Sequence, residues 1–461
     1  MKAMPETTSR YDRDTFSVFR IMPWSIDPPT RTVSLHYALD DVHEFEERIV
    51  LPSSLFPEQL AEGGLPQAIA GATDLLAAVA GVSYFKTAAP RRIEVEYAVT
   101  DAARLMMRHA YDDGLREFAF RSGLEIPLVT EISGATAQPA IAVPIAVEDG
   151  RRPLLPMGGG RDSALLASIL APFDPILTVH GDNRFIDRLG SVLARPLHRV
   201  ERVLDPLLFE LNAGEALNGH IPVTAINSMI GVVSAALAGA TDVVMANERS
   251  ASAASMTTTA GDTVNHQYSK SFEFELLLAD AVASVGGPMY FSGLRPWNEL
   301  AIARAFALRT ELHPAIMSCN RAFIRDPSRR SDGWCGHCDK CRFVWLTLCP
   351  FMPRADLVTM FGRDLFDIPS NVGGFAALLR DDRRPWDCVG EPSEARLAMS
   401  LIASEDPVAA AILATAPAAT EPRGSRPAAA SEPYTEPSSD ERIPLAYRQT
   451  IFDAMATTVR S

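Results

Sequence analysis

Three consecutive glycines followed by Arg-Asp-Ser are the residues of this sequence best suited to bind a charged ligand. They lie in the stretch LLPMGGGRDSALLASIL, residues 154–170, between a short apolar run and a run with helical character. Glycines lack Cβ atoms, so consecutive amides can curl around an anion, and a helix N-terminus adds unpaired N–H groups and the positive end of its dipole. The pattern favours a phosphate ligand. The plainer alternative is a glycine turn that joins a strand to a helix capped by Asp162 or Ser163.

Four of the six cysteines lie close together in the sequence and suit a metal ion. They are Cys319, Cys335, Cys338 and Cys341, the last three in C-x2-C-x2-C spacing. Four thiolates complete a tetrahedral zinc site, and two-residue gaps let successive ligands wrap around one ion, with His337 as a substitute ligand. An iron–sulfur cluster uses the same ligands, but nothing else in the sequence supports redox chemistry. Reduced cysteines that line a turn are the structural alternative. We expect structural zinc here, and buried thiols at Cys349 and Cys388.

A regular alternation of strands and helices after residue 153 would position these motifs. Apolar runs predict strands at 154–157, 176–180, 198–204 and 243–246, with helical spacing between them. Such alternation is typical of an α/β fold, in which a parallel sheet carries helices on both faces. Because ligands of such sheets lie beyond the carboxyl ends of the strands, we expect the glycines, Asn183, Glu248 and Arg249 to line one crevice. Taken singly, Glu248 and Arg249 are equally well explained as surface charges.

Two further cations, Lys270 and Arg295, lie near predicted helix starts. A cation at a helix N-terminus opposes the helix dipole, and a bound anion would relieve that conflict. We therefore expect both side chains near the same anionic ligand.

Composition and patterning divide the chain into four parts. Residues 1–150 predict a small α+β domain, with β alternation near its start and helical spacing towards its end. Residues 151–403 hold the strand–helix alternation and the cysteine-rich segment, 319–341. Residues 404–442 are alanine, proline, serine and glutamate with few large apolar side chains, which predicts a disordered linker. A short helix is expected within 443–461.

The overall charge and hydropathy exclude some classes of partner. A net charge of -14 argues against a general binder of nucleic acid or anionic membranes, since such proteins need basic surface. We expect Lys86, Arg91 and Arg92 to be solvated loop charges. The polar amino terminus does not fit a secretory signal, and the longest apolar stretch, 226–240, is shorter than a bilayer span, so we expect no membrane insertion. Clustered rather than dispersed cysteines favour the cytoplasm.

The motif GGGRDS is not a Walker A loop, a pattern that is missing from the sequence. It resembles the SGGxDS pyrophosphate loop (PP-loop) of the ATP pyrophosphatases, with Gly158 in place of the first serine. Four further motifs narrow the resemblance: NGHIPVTAINS at 218–228, NERSAS at 247–252, HQYSKS at 266–271 and W-C-x2-C-x2-C at 334–341. Together they are similar to the MurL family, the UDP-N-acetylmuramoyl-L-alanyl-L-glutamate epimerases. The similarity runs from about Trp24 to about Ala403.

The resemblance implies a PP-loop core and an ATP-dependent epimerase of peptidoglycan synthesis. Its substrate would be a UDP-sugar dipeptide whose terminal L-glutamate becomes D-glutamate. Adenylation of the α-carboxylate, with release of diphosphate, would remove the negative charge that opposes loss of the α-proton. Water would then release AMP after the proton has returned on the other face.

The resemblance also implies roles for individual residues. The groups expected to hold ATP and the leaving pyrophosphate are Gly158, Gly159, Gly160, Arg161, Ser163, Asn183, Arg249 and Arg295. Asp162 would share a magnesium ion with the ATP phosphates, since oxygen ligands suit that ion. The candidates for the epimerising acid and base are His220, Glu248, His266 and Lys270, whose proton affinities burial or neighbours can tune.

Two other functions stay open at this point. One is an ATP-dependent synthetase of the same fold that makes an amide, nitrile or thiolated product, although the long leading domain favours a larger substrate than a base. The other is a zinc-stabilised, nucleotide-binding regulator without turnover. It would leave Glu248, Lys270 and Arg295 without a shared purpose.

Overall fold

Strands and helices follow one another along the whole described chain in a computed structural model of this protein. It describes residues 11–57, 65–140, 150–180, 184–214, 216–324, 326–381, 384–415 and 436–456. The strands are β1 Phe19–Asp27, β2 Thr32–Leu39, β3 His43–Val50, β4 Arg92–Val95, β5 Glu131–Ser133, β6 Pro153–Pro156, β7 Ile176–His180, β8 Leu197–Val203, β9 Asp242–Met245, β10 Met256–Thr257, β11 Thr263–Val264 and β12 Met289–Ser292. The helices are α1 Gln67–Ala80, α2 Val82–Phe85, α3 Asp101–Tyr111, α4 Arg116–Ser122, α5 Arg161–Ile169, α6 Arg184–Val192, α7 Pro206–Ala213, α8 Val223–Ala238, α9 Phe272–Ser284, α10 Glu299–Ala307, α11 Asp339–Leu348, α12 Arg354–Phe361, α13 Val372–Leu378, α14 Pro392–Ile402, α15 Pro407–Ala414 and α16 Leu445–Ala456.

The chain forms two compact units, the first built from residues 1–154, 198–243 and 273–290. Its sheet has the strand order β8-β3-β2-β1-β4-β5, with β1, β2 and β3 in an antiparallel meander and β4 and β5 joined in parallel beside β1. The alternation that predicted β2 buries Val33, Leu35 and Tyr37 on one face. The first unit therefore combines helices with a sheet whose central strands are antiparallel.

Helix α1 is the core helix of the first unit. It packs against β1 and α8, and its last carbonyls accept hydrogen bonds from two buried tyrosines, Tyr37 to Ala77 at 2.9 Å and Tyr111 to Ala78 at 2.8 Å. The stretch Gln67–Phe85 is long and apolar enough to cross a membrane by length and composition, but most of it is buried. Burial inside the unit accounts for its apolar composition.

The first unit includes two stretches that we expected in the second domain. Strand β8 pairs antiparallel with β3, and Arg202 reaches across this pair to the buried Glu47, with two N–H···O contacts of 2.6 and 3.0 Å. Helix α8 is apolar and packs on α1. The domain boundary that we placed at residue 150 separates residues that these contacts join. The contacts link residues far apart in the sequence, so local sequence patterns do not indicate them.

The second unit comprises residues 155–197, 244–272 and 291–461. It contains β7 and the carboxyl-terminal residues of β6, β9 and β12. The strand order here is β12-β9-β6-β7, and β6 and β9 are parallel. The chain leaves β6 towards β7 on one side and leaves β9 towards β12 on the other. Such a reversal of direction opens a crevice at the carboxyl ends of the two central strands. The α/β class is thus confirmed, with strands β6 and β9 at the centre of this arrangement.

Helices after residue 299 complete the second unit. Helix α15, capped by Asp406, occupies residues that we expected to be linker, because alanine, isoleucine and leucine favour a helix and bury Ala409 and Ile412. Helix α16 lies in the expected C-terminal range, and its Tyr447 packs on Phe173 at 4.7 Å between ring centroids. The remainder of the predicted linker, 416–435, lies outside the described residues.

Candidate active site

The glycine loop joins β6 to α5 at the crevice between the central strands of the second unit. Gly160 is the N-cap of α5 and makes no side-chain cap, so neither Asp162 nor Ser163 caps this helix. Gly159 has a φ of 78°, and a Cβ there would lie 2.8 Å from Ile186. A Cβ on Gly158 would meet nothing within 4 Å. The loop therefore requires a glycine at 159 for its shape and leaves open space at 158.

Loop 316–318 braces the glycine loop from behind. The Met317 amide donates to the Gly159 carbonyl at 2.8 Å, and a Cβ on Gly160 would lie 2.8 Å from Ser318 Oγ. The Ser163 hydroxyl donates to the Gly160 carbonyl at 3.3 Å. In both hydrogen bonds the glycine loop supplies a carbonyl as the acceptor. The N–H groups at the start of α5 are not used by these contacts.

Arg161 is buried rather than exposed to a ligand. Its guanidinium donates to Asp162 Oδ1 at 2.8 Å, to Thr347 Oγ1 at 3.2 Å and to Glu299 Oε2. Glu299 is itself buried at the start of α10, and Lys340 Nζ lies 4.0 Å from it. Arg161 thus joins the first turn of α5 to α10 and α11, which makes it a positioning residue.

Asp162 is the acidic group of the loop. Burial alone would raise the pKa of its carboxyl, but Arg161, Lys340 and Lys270 lower it below the usual value. Its side chain keeps a quarter of its surface accessible. An ionised carboxylate of this kind suits a hard cation such as magnesium.

Lys270 lies in the turn Tyr268–Lys270, beside acidic neighbours. Burial would lower the pKa of its ammonium, but Cys388, Glu248 and Asp162 raise it above the usual value. Its Nζ donates to Gln267 Oε1 at 3.4 Å. Lys270 therefore stays a cation at neutral pH.

Cys388 is a chemically distinctive group that sequence reasoning assigned to the core. Its side chain is only partly buried, and Lys270, His266 and Lys340 are the cations that act on its thiol. Burial would raise the pKa of the thiol, but Lys270, His266 and Lys340 lower it to about 6. The sequence held no spacing signal for this residue, because Lys340, Lys270 and His266 precede it by 48 residues or more.

Arg295 and Arg249 have different surroundings. Arg295 is almost fully buried, and its two terminal nitrogens donate to the carbonyls of Glu248 and Lys270, each at 2.6 Å. The Arg249 amide donates to the Trp297 carbonyl at 2.9 Å. Among the residues that the structure describes, the guanidinium of Arg249 contacts no acidic or hydrogen-bonding partner, and it is half-buried. The guanidinium of Arg249 thus differs from that of Arg295, whose terminal nitrogens are both hydrogen-bonded to carbonyls.

Two further residues singled out in the sequence, His220 and Lys86, belong to the first unit. His220 belongs to the first unit, where its Nδ1 lies 3.9 Å from the buried Glu117. Lys86, expected to be solvated, is also buried there, and its Nζ donates to the Asn212 and Asn218 side chains at 3.1 and 2.8 Å. Burial lowers the pKa of Lys86 to about 8. Asn183 lies outside the described residues.

The four clustered cysteines come together in space as free thiols. Their sulfurs lie within 4.8 Å of one another, and Cys335 and Cys341 are 3.8 Å apart. Four sulfurs about 2.3 Å from one zinc ion would be separated by about 3.8 Å, so the donors fit. The amides of Cys338 and His337 point at Cys335 Sγ, each at 3.4 Å, while the His337 side chain is exposed. The geometry matches a four-thiolate site without His337.

Comparison with known proteins adds a family to this geometry. A profile of the MurL N-terminal domain matches residues 10–293, and a profile of the MurL C-terminal domain matches residues 315–431. No solved structure is significantly similar to the chain.

Three relatives are named UDP-N-acetyl-alpha-D-muramoyl-L-alanyl-L-glutamate epimerase. The relative from Xanthomonas oryzae is 39% identical over 86% of this chain and 88% of its own length. Those from Micromonospora and Salinispora tropica are 38% and 39% identical, over 94% and 87% of this chain and 97% and 89% of their own lengths. Given similarity of this extent, the chain belongs to the MurL family and is an epimerase, as the sequence motifs indicated.

Proposed function

We propose that this enzyme converts the terminal L-glutamate of UDP-N-acetylmuramoyl-L-alanyl-L-glutamate to D-glutamate, with ATP consumed to AMP and diphosphate. The names of its relatives supply the substrate. The observation that carries the ATP chemistry is the glycine loop at the N-terminus of α5, where a Cβ on Gly158 would meet nothing within 4 Å and no side chain caps the helix. Backbone donors of this kind bind phosphate groups.

Activation of the carboxylate gives the ATP a chemical purpose. An α-proton beside a carboxylate is hard to remove, because the carbanion would form next to a negative charge. When the α-carboxylate oxygen attacks the α-phosphorus of ATP, the P–O bond to diphosphate breaks and an acyl adenylate forms. The neutral acyl group then delocalises the carbanion as an enolate, and one proton transfer to each face inverts the carbon.

The residues around the loop have complementary charges for that first step. Asp162 is ionised and would bind magnesium together with the phosphates, which neutralises charge as the diphosphate departs. Arg249 and the cationic Lys270 are the basic groups for the diphosphate or the substrate carboxylates. Arg295 and Arg161 would act indirectly. Their hydrogen bonds hold the backbone segments that carry the ligand-binding side chains.

The cysteine cluster completes the proposal as a structural site. Cys319, Cys335, Cys338 and Cys341 would hold one zinc ion, and the last two flank the start of α11, which carries Lys340 towards Glu299. Zinc there would stabilise the fold without taking part in the reaction. All six cysteines are free, which fits a reducing compartment such as the cytoplasm.

The test incubates purified enzyme with ATP, magnesium and UDP-N-acetylmuramoyl-L-alanyl-L-glutamate, then measures AMP and the configuration of the glutamate. We expect D-glutamate and AMP to appear together. AMP that forms only when ammonia or a sulfur donor is added would move the chain to the synthetases. Failure to form AMP with any carboxylate would refute the adenylation.

A matched variant ties the reaction to the loop. Asp162→Asn keeps the size of the side chain and removes its charge, so we expect AMP release to fall by at least about 100-fold while the melting temperature stays close to that of the wild type. Full activity of this variant would remove Asp162 from the site.

A further inference from the structure

We infer that a cavity beside the glycine loop binds the uridine diphosphate end of the substrate, an assignment that rests on the proposed function. The cavity has a volume of about 480 Å³, and all its lining residues belong to the second unit. Small-molecule sites in proteins commonly have volumes of about 300–1,000 Å³. Three features support the assignment: an aromatic wall, two arginines at the rim, and a lining residue that is hydrogen-bonded to the glycine loop.

Aromatic side chains from three separate segments form the wall of the cavity. Trp334 and Phe361 pack on each other with 4.3 Å between their ring centroids, and Phe185 lines the cavity from α6. All three residues are buried, so their neighbours restrict the positions of the rings. Aromatic side chains stack on bases of every kind, because each base has a π-face. The wall therefore suits a planar heterocycle such as uracil.

Two arginines, Arg188 and Arg363, lie at the rim of the cavity. The Arg188 guanidinium is 5.7 Å from the ring centroid of Phe185, one turn earlier on α6, and Arg363 follows Gly362, the left-handed C-cap of α12. Both arginines are exposed, and neither makes a hydrogen bond or an ion pair within the part of the chain that the structure describes. Asp332 is the acidic residue among those that line the cavity, so the rim keeps a net positive charge.

These arginines suit a diphosphate. Guanidinium groups bind phosphate oxygens through pairs of parallel hydrogen bonds, which are stronger than hydrogen bonds between neutral groups. The chain has a net charge of -14, so acidic partners for arginine are plentiful elsewhere in it. Two arginines without such partners at one cavity indicate an anion supplied by a ligand.

The cavity adjoins the glycine loop through Met317. This residue lines the cavity, and its amide donates to the Gly159 carbonyl at 2.8 Å. On α6, the residue after Phe185 is Ile186, which would lie 2.8 Å from a Cβ on Gly159. The segments that form two walls of the cavity are therefore the same segments that contact the glycine loop.

The phosphates of ATP are already accounted for in the proposed reaction. They would bind the amides of the glycine loop, with Asp162, Lys270 and Arg249 as charged partners. Arg188 and Arg363 remain for a second diphosphate, and the substrate that names the relatives carries one beside its uracil ring. Its two amino-acid residues alone span about 7 Å when extended, and the sugar adds further length. One substrate molecule can thus extend from the cavity to the loop.

Calorimetry with UDP and AMP tests the assignment on the purified full-length enzyme. We expect UDP to bind and AMP not to compete with it. Arg188→Met and Arg363→Met each remove one charge from the rim, so each should weaken UDP binding by about tenfold, and the melting temperature should not change because both side chains are exposed. The matched control is Arg448→Met, which removes the same charge from α16, where Arg448 pairs with Glu441. This control should bind UDP like the wild type.

Steady-state kinetics provide an independent measurement. Loss of an interaction made equally in the ground state and the transition state raises KM and leaves kcat unchanged. We therefore expect the KM for the UDP-linked dipeptide to rise by about tenfold in either rim variant, with kcat and the KM for ATP within about twofold of the wild type.

The outcomes distinguish this inference from the proposed function. Unchanged UDP binding in both rim variants, or a wild type that does not bind UDP at millimolar concentration, would overturn the cavity assignment while the epimerase reaction stands. Displacement of UDP by AMP would assign the cavity to the adenosine end of ATP and would also overturn the inference. An enzyme that forms neither AMP nor D-glutamate, but loses UDP binding in the rim variants, would refute the proposed function and support the cavity as a UDP site.

Discussion

Replacing Arg161 with methionine tests whether a buried ion pair fixes the first turn of α5. Arg161 is 3% exposed and Glu299 is 2% exposed, so the substitution leaves a carboxylate inside the protein. Removing one partner of a buried pair costs about 3–5 kcal/mol, because the other charge is left uncompensated. Lys340 Nζ, 4.0 Å away, compensates part of that charge. We therefore expect Arg161→Met to lower the free energy of unfolding by about 3 kcal/mol.

Urea unfolding followed by tryptophan fluorescence measures this loss of stability in the second unit, which contains Arg161 and Glu299. Four of the five tryptophans lie in the second unit, namely Trp297, Trp334, Trp345 and Trp386. The matched control is Arg195→Met, which removes an ion pair to Asp174 in the same unit. Asp174 is 78% exposed and stays hydrated when it is left alone, so we expect the control to cost less than about 1 kcal/mol.

A double-mutant cycle isolates the pair from the rest of the side chain. Glu299→Gln and the double variant with Arg161→Met complete the cycle, and we expect a coupling energy of about 2 kcal/mol between the two positions. A coupling indistinguishable from zero, or a loss below about 1 kcal/mol in Arg161→Met, would falsify the view that this pair positions the glycine loop.

Three further predictions address the phosphate loop, the metal and a buried lysine. Gly158→Ala places a methyl group in open space, so we expect at least about tenfold weaker binding of ATP by calorimetry without a change in melting temperature, whereas Gly373→Ala, equally open, should not alter binding. Elemental analysis should find about one zinc per chain, lost in Cys335→Ser but kept in Cys349→Ser, and a folded wild type without metal would contradict the site. Burial lowers the pKa of Lys86 from 10.5 to about 8, so the folded cation is disfavoured and stability rises as the pH increases. Urea titrations should show the wild type gaining roughly 2.5 kcal/mol relative to Lys86→Met between pH 7 and pH 10, and an equal pH dependence of the two proteins would rule out this burial.

Local patterns account for the parts of the site that the sequence predicted. An apolar run, three glycines and a helical run determine a strand, a turn and a helix within a few residues, and β6, Gly158–Gly160 and α5 follow that order. The C-x2-C-x2-C spacing likewise brings Cys335, Cys338 and Cys341 together, because two residues suffice to wrap the chain around one point. In both cases the determining residues are neighbours in the chain.

Long-range partners account for what the sequence could not predict. The charge of Arg161 is used by Glu299, which lies 138 residues further along the chain. Lys86 looks like an exposed loop charge until helix α7 and the loop after it supply Asn212 and Asn218. Cys388 has an ordinary sequence environment, and only folding brings Lys270 beside it. The exposure and the pKa of these side chains are determined by tertiary contacts, and such contacts produce no periodic pattern in the sequence.

The first unit is assembled from three separate stretches of the chain, so the order of synthesis on the ribosome determines when it can fold. Because strand β8 and helix α8 belong to that unit, an isolated fragment ending at residue 150 would lack the edge partner of β3 and the helix that covers α1. The amino-terminal segment must therefore wait for residues up to about 290 to be synthesised before its apolar surface can be covered. A fragment made for biophysical work on the first unit should therefore extend to about residue 290.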